Sequence, residues 1–181
     1  MKKFFKPAIL ALSIITLTAC SSDDDTPDQI NEEEVINQVV LTITETGTTN
    51  TETYEWNEGT GASANIVIDA GKSYEATVGF FDNSDPANKE DITEEVIAEA
   101  DEHQVFYEVA SNTLTITSAA NDIEDNAGNP IGINTVWSGT GTTQTSVVIY
   151  LVHEPTSKTG ETRDDLGGET DVQVSFPVVV N

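Results

Sequence analysis

The chain has 181 residues, of which 32 are acidic and only 7 basic, giving a formal net charge of −25. A surface this acidic repels nucleic-acid phosphates and anionic lipid headgroups, which excludes nucleic acid as a partner and makes cations the favoured counter-charge. The single cysteine, Cys20, rules out a disulfide within the chain, so the fold must be stable through its apolar core alone.

Lys2, Lys3 and Lys6 give a basic start, and residues 7–19 are mostly apolar. This run is shorter than the ~20 apolar residues that span a bilayer as a helix. It reads as a secretory signal covering residues 1–19 and is set aside from the fold. It ends Leu17-Thr18-Ala19-Cys20, which resembles the lipobox of bacterial lipoproteins. The resemblance implies cleavage before Cys20, a diacylglyceryl thioether on its sulfur, and an acyl chain such as palmitate on the new amino terminus. Two or more acyl chains anchor stably, where one holds only reversibly. The following Ser21-Ser22-Asp23-Asp24-Asp25 resembles the surface-export signal of Bacteroidota lipoproteins. That resemblance implies an outer-membrane anchor facing the medium. Without the signal, Lys72, Lys89, Lys158 and Arg163 stand against the same 32 acidic residues, a net charge near −28. Residues 20–35 are polar and acidic with no aromatic side chain. They bury too little apolar surface to offset ordering entropy and are assigned to a tether. Residues 36–181 have the length of one domain and can bury a core without staples.

The remainder is rich in Thr, Val and Ile, in short alternating runs between turn residues. Strands are expected over 35–45, 51–57, 65–70, 72–82, 104–109, 113–118, 131–138, 146–153 and 170–180. Segments 104–109 and 113–118 read as a hairpin around Ala110-Ser111-Asn112. Segment 146–153 is almost wholly apolar and reads as a central strand covered on both faces. The helix-like stretch is 91–100, where Asp91 is placed to cap, with Glu94 three residues on; an extended excursion is the alternative reading of the same residues. Eight or nine strands of this kind predict a single-domain, all-β antiparallel sandwich, with a closed barrel as the alternative.

Neither a Gly-x-Ser-x-Gly nucleophile turn nor a phosphate-binding loop occurs, and the one cysteine is the lipidation candidate. The chain is therefore read as non-enzymatic. Its two histidines are more informative. They sit in Asp101-Glu102-His103-Gln104, before one strand, and in His153-Glu154-Pro155, at the end of another. If those strands pair antiparallel, the start of one lies beside the end of the other. His103 and His153 would then share one end of the sheet with Asp101, Glu102 and Glu154. Imidazoles with carboxylates suit Zn²⁺ or a similar divalent ion. A second candidate is the acidic loop 121–130, where Asp122, Glu124 and Asn126 alternate before Gly128 in the manner of a Ca²⁺ loop. It departs from the EF-hand pattern, since Ala127 intrudes before the glycine and no glutamate occupies the twelfth position. Residues 161–171 read as a turn into the last strand. Most aromatic residues fall at strand positions and are assigned to the core. Trp56 and Trp137 could stack on a sugar if exposed, but lack the spacing of a platform.

The segments Asp101-Glu102-His103-Gln104-Val105-Phe106-Tyr107, Gly128-Asn129-Pro130-Ile131-Gly132, His153-Glu154-Pro155 and Gly167-Gly168-Glu169-Thr170-Asp171 resemble those of a small flavobacterial outer-membrane lipoprotein family. The resemblance covers most of the chain after Cys20 and carries no established activity. It implies association with a TonB-dependent outer-membrane receptor and a role in capture for import. Some members are labelled a type 1 periplasmic binding fold, which implies a large two-lobed α/β protein. A chain this short and strand-rich is read as all-β instead. The reading that results is a membrane-anchored ligand- or partner-binding module, with divalent metal as the most concrete ligand. The alternative is a structural or adhesive surface protein with no small ligand.

Overall fold

Alternation of apolar and polar residues sets which face of each strand is buried, and two sheets result. The computed structural model describes residues 34–181; the expected signal segment, Cys20 and most of the expected tether lie outside the described residues. In chain order the elements are β1 (Gln38–Glu45), β2 (Thr51–Asn57), β3 (Gly61–Ala62), β4 (Ile66–Ile68), β5 (Ser73–Asp82), β6 (Glu90–Asp91) and α1 (Thr93–Ala98). They continue with β7 (His103–Val109), β8 (Leu114–Ser118), β9 (Asn134–Gly139), β10 (Thr143–His153), α2 (Arg163–Leu166) and β11 (Glu169–Val180). The larger sheet runs β3-β2-β1-β5-β9-β8, with β6 added beside β5; the smaller runs β4-β11-β10-β7. The larger sheet curls into a half-barrel. The two ladders stay separate with free end strands, so the molecule is sandwich-like rather than a closed barrel. The strand count exceeds the expectation mainly through the two-residue strands β3 and β6, too short to leave a periodic signal.

The inner faces supply the core. Val39, Leu41 and Ile43 of β1, with Tyr74, Ala76, Val78 and Phe80 of β5, face Val174, Phe176, Val178 and Val180 of β11 and Ile149 and Leu151 of β10. Trp137 of β9 is fully buried, donates its indole N–H to Thr135 Oγ1 at 2.9 Å, and meets Tyr107 edge-on. It is a core residue, unavailable for stacking on a sugar. Tyr150 and Val152 of β10 point to the opposite face, where Leu166 of α2 covers them. The expectation that this strand is covered on both faces is met by that return of the chain.

Three expectations are corrected. Strands β7 and β8 do not form a hairpin: β7 pairs with β10 and β8 with β9, in different sheets. A short polar connector has the same composition whether it folds back or changes layer, and the apolar partners available in each sheet decide. Strand β4 pairs in parallel with β11, unlike the other ladders. Finally, Ile92 takes the N-cap position of α1 without a side-chain cap, while Asp91 accepts the N–H of Thr93 at 3.0 Å. The reciprocal capping box occurs instead at α2, between Thr162 and Asp165.

The free edge of β4 is closed by two tyrosines. Val67 N–H donates to the Tyr54 hydroxyl at 3.3 Å, and Asp69 N–H to the Tyr74 hydroxyl at 3.0 Å. Donors occupied in this way offer less of a template to another strand. The outer edge of β7 is covered by the segment before β9, with Val105 N–H donating to Ile131 O at 2.7 Å. Gly132 follows at φ 86°, where a Cβ would lie 2.6 Å from the Val105 carbonyl oxygen. Only glycine tolerates both the conformation and the approach.

Truncating the largest buried side chain tests this packing. Trp137→Ala is expected to lower unfolding free energy by about 3–5 kcal/mol, read by denaturant titration with tryptophan-independent circular dichroism.

Candidate functional site

Pairing between β7 and β10 is antiparallel, and its last register pair is His103 opposite His153. His103 lies two residues before Val105 and His153 two residues after Leu151, so both rings point to the inner face, as the alternation of a strand requires. They form the last layer of the sandwich interior. His103 is 2 % exposed and His153 9 %. The rings are stacked, with centroids 5.0 Å apart and planes inclined by 18°. The antiparallel geometry inferred from the sequence therefore brings the two histidines together.

The surrounding groups come from four segments. The end of α1 supplies Glu99, whose carbonyl lies 3.2 Å from His103 Nδ1. Glu34, from the chain entering the domain, clusters with Glu99 and His103, with ligand-capable atoms all within 4.8 Å of one another. Glu102, His153 and Glu154 form a second cluster on the same criterion. Asp171 Oδ2 lies 4.0 Å from His103 Nε2, and Glu102 Oε2 lies 3.9 Å from His153 Nε2.

Asp171 reaches this position through a bulge. The register between β10 and β11 shifts between Leu151, opposite Val172, and Val152, opposite Thr170, leaving Asp171 as the extra residue. A bulge re-aims one side chain and bends its strand. Here it brings a carboxylate to the histidine layer.

The chain after β10 closes over the outer face. Glu154 has φ 46°, and its N–H donates to Glu102 O at 2.7 Å, joining the two histidine-bearing turns. Lys158 returns to donate to the carbonyls of Ala100 and His103, and its ammonium lies 3.4 Å from Asp125 Oδ2. Gly168, at φ 65°, passes so close that a Cβ would sit 2.3 Å from His153 O.

Burial and like charge act on this site in opposite directions for acids and imidazole. Glu34 is pushed up to about 7, first by burial and then by the charges of Glu95, Asp171 and Glu99. Asp171 is also raised, chiefly by burial, with both histidines working against that shift. His103 is lowered because burial disfavours the imidazolium. Glu34 Oε2 and Asp171 Oδ2 are both buried without a hydrogen-bond partner.

Of the residues singled out in the sequence, His103, His153, Glu102 and Glu154 come to this end of the fold. Asp101 does not join them, because its carboxylate accepts the backbone N–H and side-chain amide of Asn126. Glu34, Glu99 and Asp171 were not anticipated. The sequence pattern places the first in the tether, the second in the helix-like stretch 91–100 and the third where the turn 161–171 runs into the last strand. The acidic loop is held by its own hydrogen bonds. Asp122 accepts the N–H groups of Ile123, Gly132 and Asn134 at 2.7–2.9 Å. Glu124 pairs with Pro130 in a lone bridge, and Asn126 is turned to Asp101. Asp122, Glu124 and Asn126 do not converge as a Ca²⁺ cage. Asp125, which the pattern passed over, is lowered to about 2, first by the Asn129 side chain and then by its backbone N–H.

Comparison with family models, with curated proteins and with solved structures finds no match. Among the described residues no helix is long and apolar enough to cross a membrane.

A pH dependence follows from Glu34. Its proton is held more tightly in the folded chain than at its ordinary value of 4.5. Its contribution to stability is thus complete below about 4.5 and is lost as pH rises through about 7. Glu34→Gln in chelator-treated buffer is expected to match the parent near pH 4 and to be the more stable protein at pH 8. Paired denaturant titrations at those two pH values read the difference.

Proposed function

We propose that the chain is a lipid-anchored, non-enzymatic binding module whose histidine-bearing end captures a divalent metal ion. The observation that carries this reading is the company of the two buried histidines. Several carboxylates converge on them, and two buried carboxylate oxygens, on Glu34 and Asp171, have no hydrogen-bond partner. Natural interiors rarely leave such groups unpaired. A dication would satisfy them and remove the mutual repulsion of the acids. Imidazole and carboxylate donors without thiolate suit first-row divalent ions, Zn²⁺ among them.

Anchoring is part of the same proposal. Cys20 carries the lipid, and the outer leaflet of an outer membrane is the location that the Ser21–Asp25 run supports. From Cys20 to Glu34 the chain can extend at most about 50 Å. A domain that takes up ions at the end where its tether enters is suited to pass them to a TonB-dependent receptor in the same membrane, the partner this reading names.

Calorimetric titration of the metal-free chain with Zn²⁺ tests the capture step. Binding at micromolar protein is expected, and His103→Ala and His153→Ala should each lower the amount of metal bound or weaken it at least about tenfold, with the all-β circular dichroism spectrum retained. Absence of heat in the parent chain would sink the metal reading and leave an adhesive or structural role. Anchoring is tested separately: labelled palmitate should enter the parent chain in a bacterial host and should be absent from Cys20→Ser.

A further inference from the structure

The stacked histidines define the stoichiometry of this end of the domain. A metal ion bound to imidazole lies in the plane of the ring, at about 2.0–2.1 Å from the nitrogen for zinc. The rings of His103 and His153 are face to face, 5.0 Å apart at their centroids, with planes inclined by only 18°. Planes so close to parallel do not meet within bonding reach of both rings. One ion therefore cannot take both rings as they stand. Rotating either ring would disturb a buried residue held at its backbone by the β7–β10 ladder.

By mutual distance the ligand-capable atoms nevertheless fall into two groups, one on each ring, with Asp171 near both. His103 lies with Glu34 and Glu99, and His153 with Glu102 and Glu154. The sets differ in access. His103 is the more deeply buried ring, and Glu34 and Glu99 are only partly exposed. In the outer set Glu102 has 52 % of its side chain exposed, and Glu154 is also at the surface. Asp171 Oδ2 lies 4.0 Å from His103 Nε2, with no hydrogen-bond partner of its own, so the inner group has a further oxygen at hand.

We infer that this end of the domain binds two divalent ions, an inner one on Glu34, Glu99 and His103 and an outer one on Glu102, His153 and Glu154. The inference rests on the metal reading proposed above and adds the count and the order. The inner ion loses more water and gains more fixed donors, so it is held more tightly. The outer position is open to solvent and exchanges more readily. Each centre has one imidazole with carboxylates and no sulfur, a donor set for Zn²⁺, Mn²⁺ or Fe²⁺ rather than for Cu⁺.

The experiment is a count of bound Zn²⁺ by equilibrium dialysis and elemental analysis of the full chain, with excess Mg²⁺ present to occupy non-specific surface carboxylates. Calorimetry on the same samples gives the two affinities. The parent chain is expected to hold two Zn²⁺ per chain in resolved steps. The double variant Glu102→Gln/Glu154→Gln changes only exposed side chains; it should hold one, with the tighter step preserved. Glu34→Gln/Glu99→Gln should weaken the tighter step at least tenfold while the outer step remains. Thermal unfolding of each variant confirms that it is folded. A parent stoichiometry of one, or the loss of both steps in either folded double variant, would overturn the two-ion inference and leave single-ion capture standing. Failure of the parent to retain any Zn²⁺ overturns both.

Discussion

The register of β7 against β10 is the constraint on which the histidine-bearing end of this protein depends. It runs from Val109 opposite Val147 to His103 opposite His153. A slip of one residue would send every side chain of β7 to the other face, taking Val105 out of the core and His103 out of the last layer. The register is specified by burial, because Val105, Ile149 and Leu151 are at most 3 % exposed on the inner face. Apolar packing in the middle of the sandwich thus positions two polar rings at its end. The rings require no interaction of their own to be brought together.

What surrounds the rings is fixed by a second layer of contacts that is polar and mostly backbone. Lys158 ties the carbonyls of Ala100 and His103 to the loop that follows β10, while its ammonium stays beside Asp125. Arg163 donates to the Gly167 carbonyl and to Thr170, holding the same loop against the start of β11. In a chain with so few cations these placements carry weight. Lys158 and Arg163 are both spent on the closing loop. Lys72 bridges Glu45 and Asp69 elsewhere, and Lys89 lies over the Phe81 ring. Arg163 also eases the charge of Asp171 from a distance, but among the described residues none of the four cations forms an ion pair with Glu34, Glu99, Glu102, Glu154 or Asp171. Burial there raises Glu34 and Asp171 and lowers His103, so these three groups approach neutrality from opposite sides.

Bulge and turn chemistry determine which acids participate. Asp171 is re-aimed by the slip in register beside Val152, and Glu154 adopts a positive φ where the chain turns back. Asp101 and Asp122 sit in equally acidic stretches, yet their oxygens are consumed by N–H groups in the loops around them. Around this end, Asp101 and Asp122 are taken up by backbone donors, whereas Glu34, Glu99, Glu102 and Asp171 are left near the rings. The division does not follow local density of charge in the sequence.

Much of the architecture was legible from local pattern. Alternation placed nearly every long strand, because a half-buried strand must repeat its apolar residues with period two. The almost continuous apolar run at 146–153 correctly signalled a strand buried on both faces. The meeting of His103 and His153 followed from their positions at opposite ends of two strands, given antiparallel pairing. The sequence by itself therefore determined the all-β class, the acidic surface and the two histidines as the informative pair. Tertiary structure alone decided that β7 and β8 part into different sheets, that β4 runs parallel to β11, and that Glu34, Glu99 and Asp171 replace Asp101 beside the rings. The reason is physical. Periodicity reports which face of a segment is buried, whereas sheet membership, bulges and the partners of a carboxylate depend on residues far away in the chain that burial brings into contact.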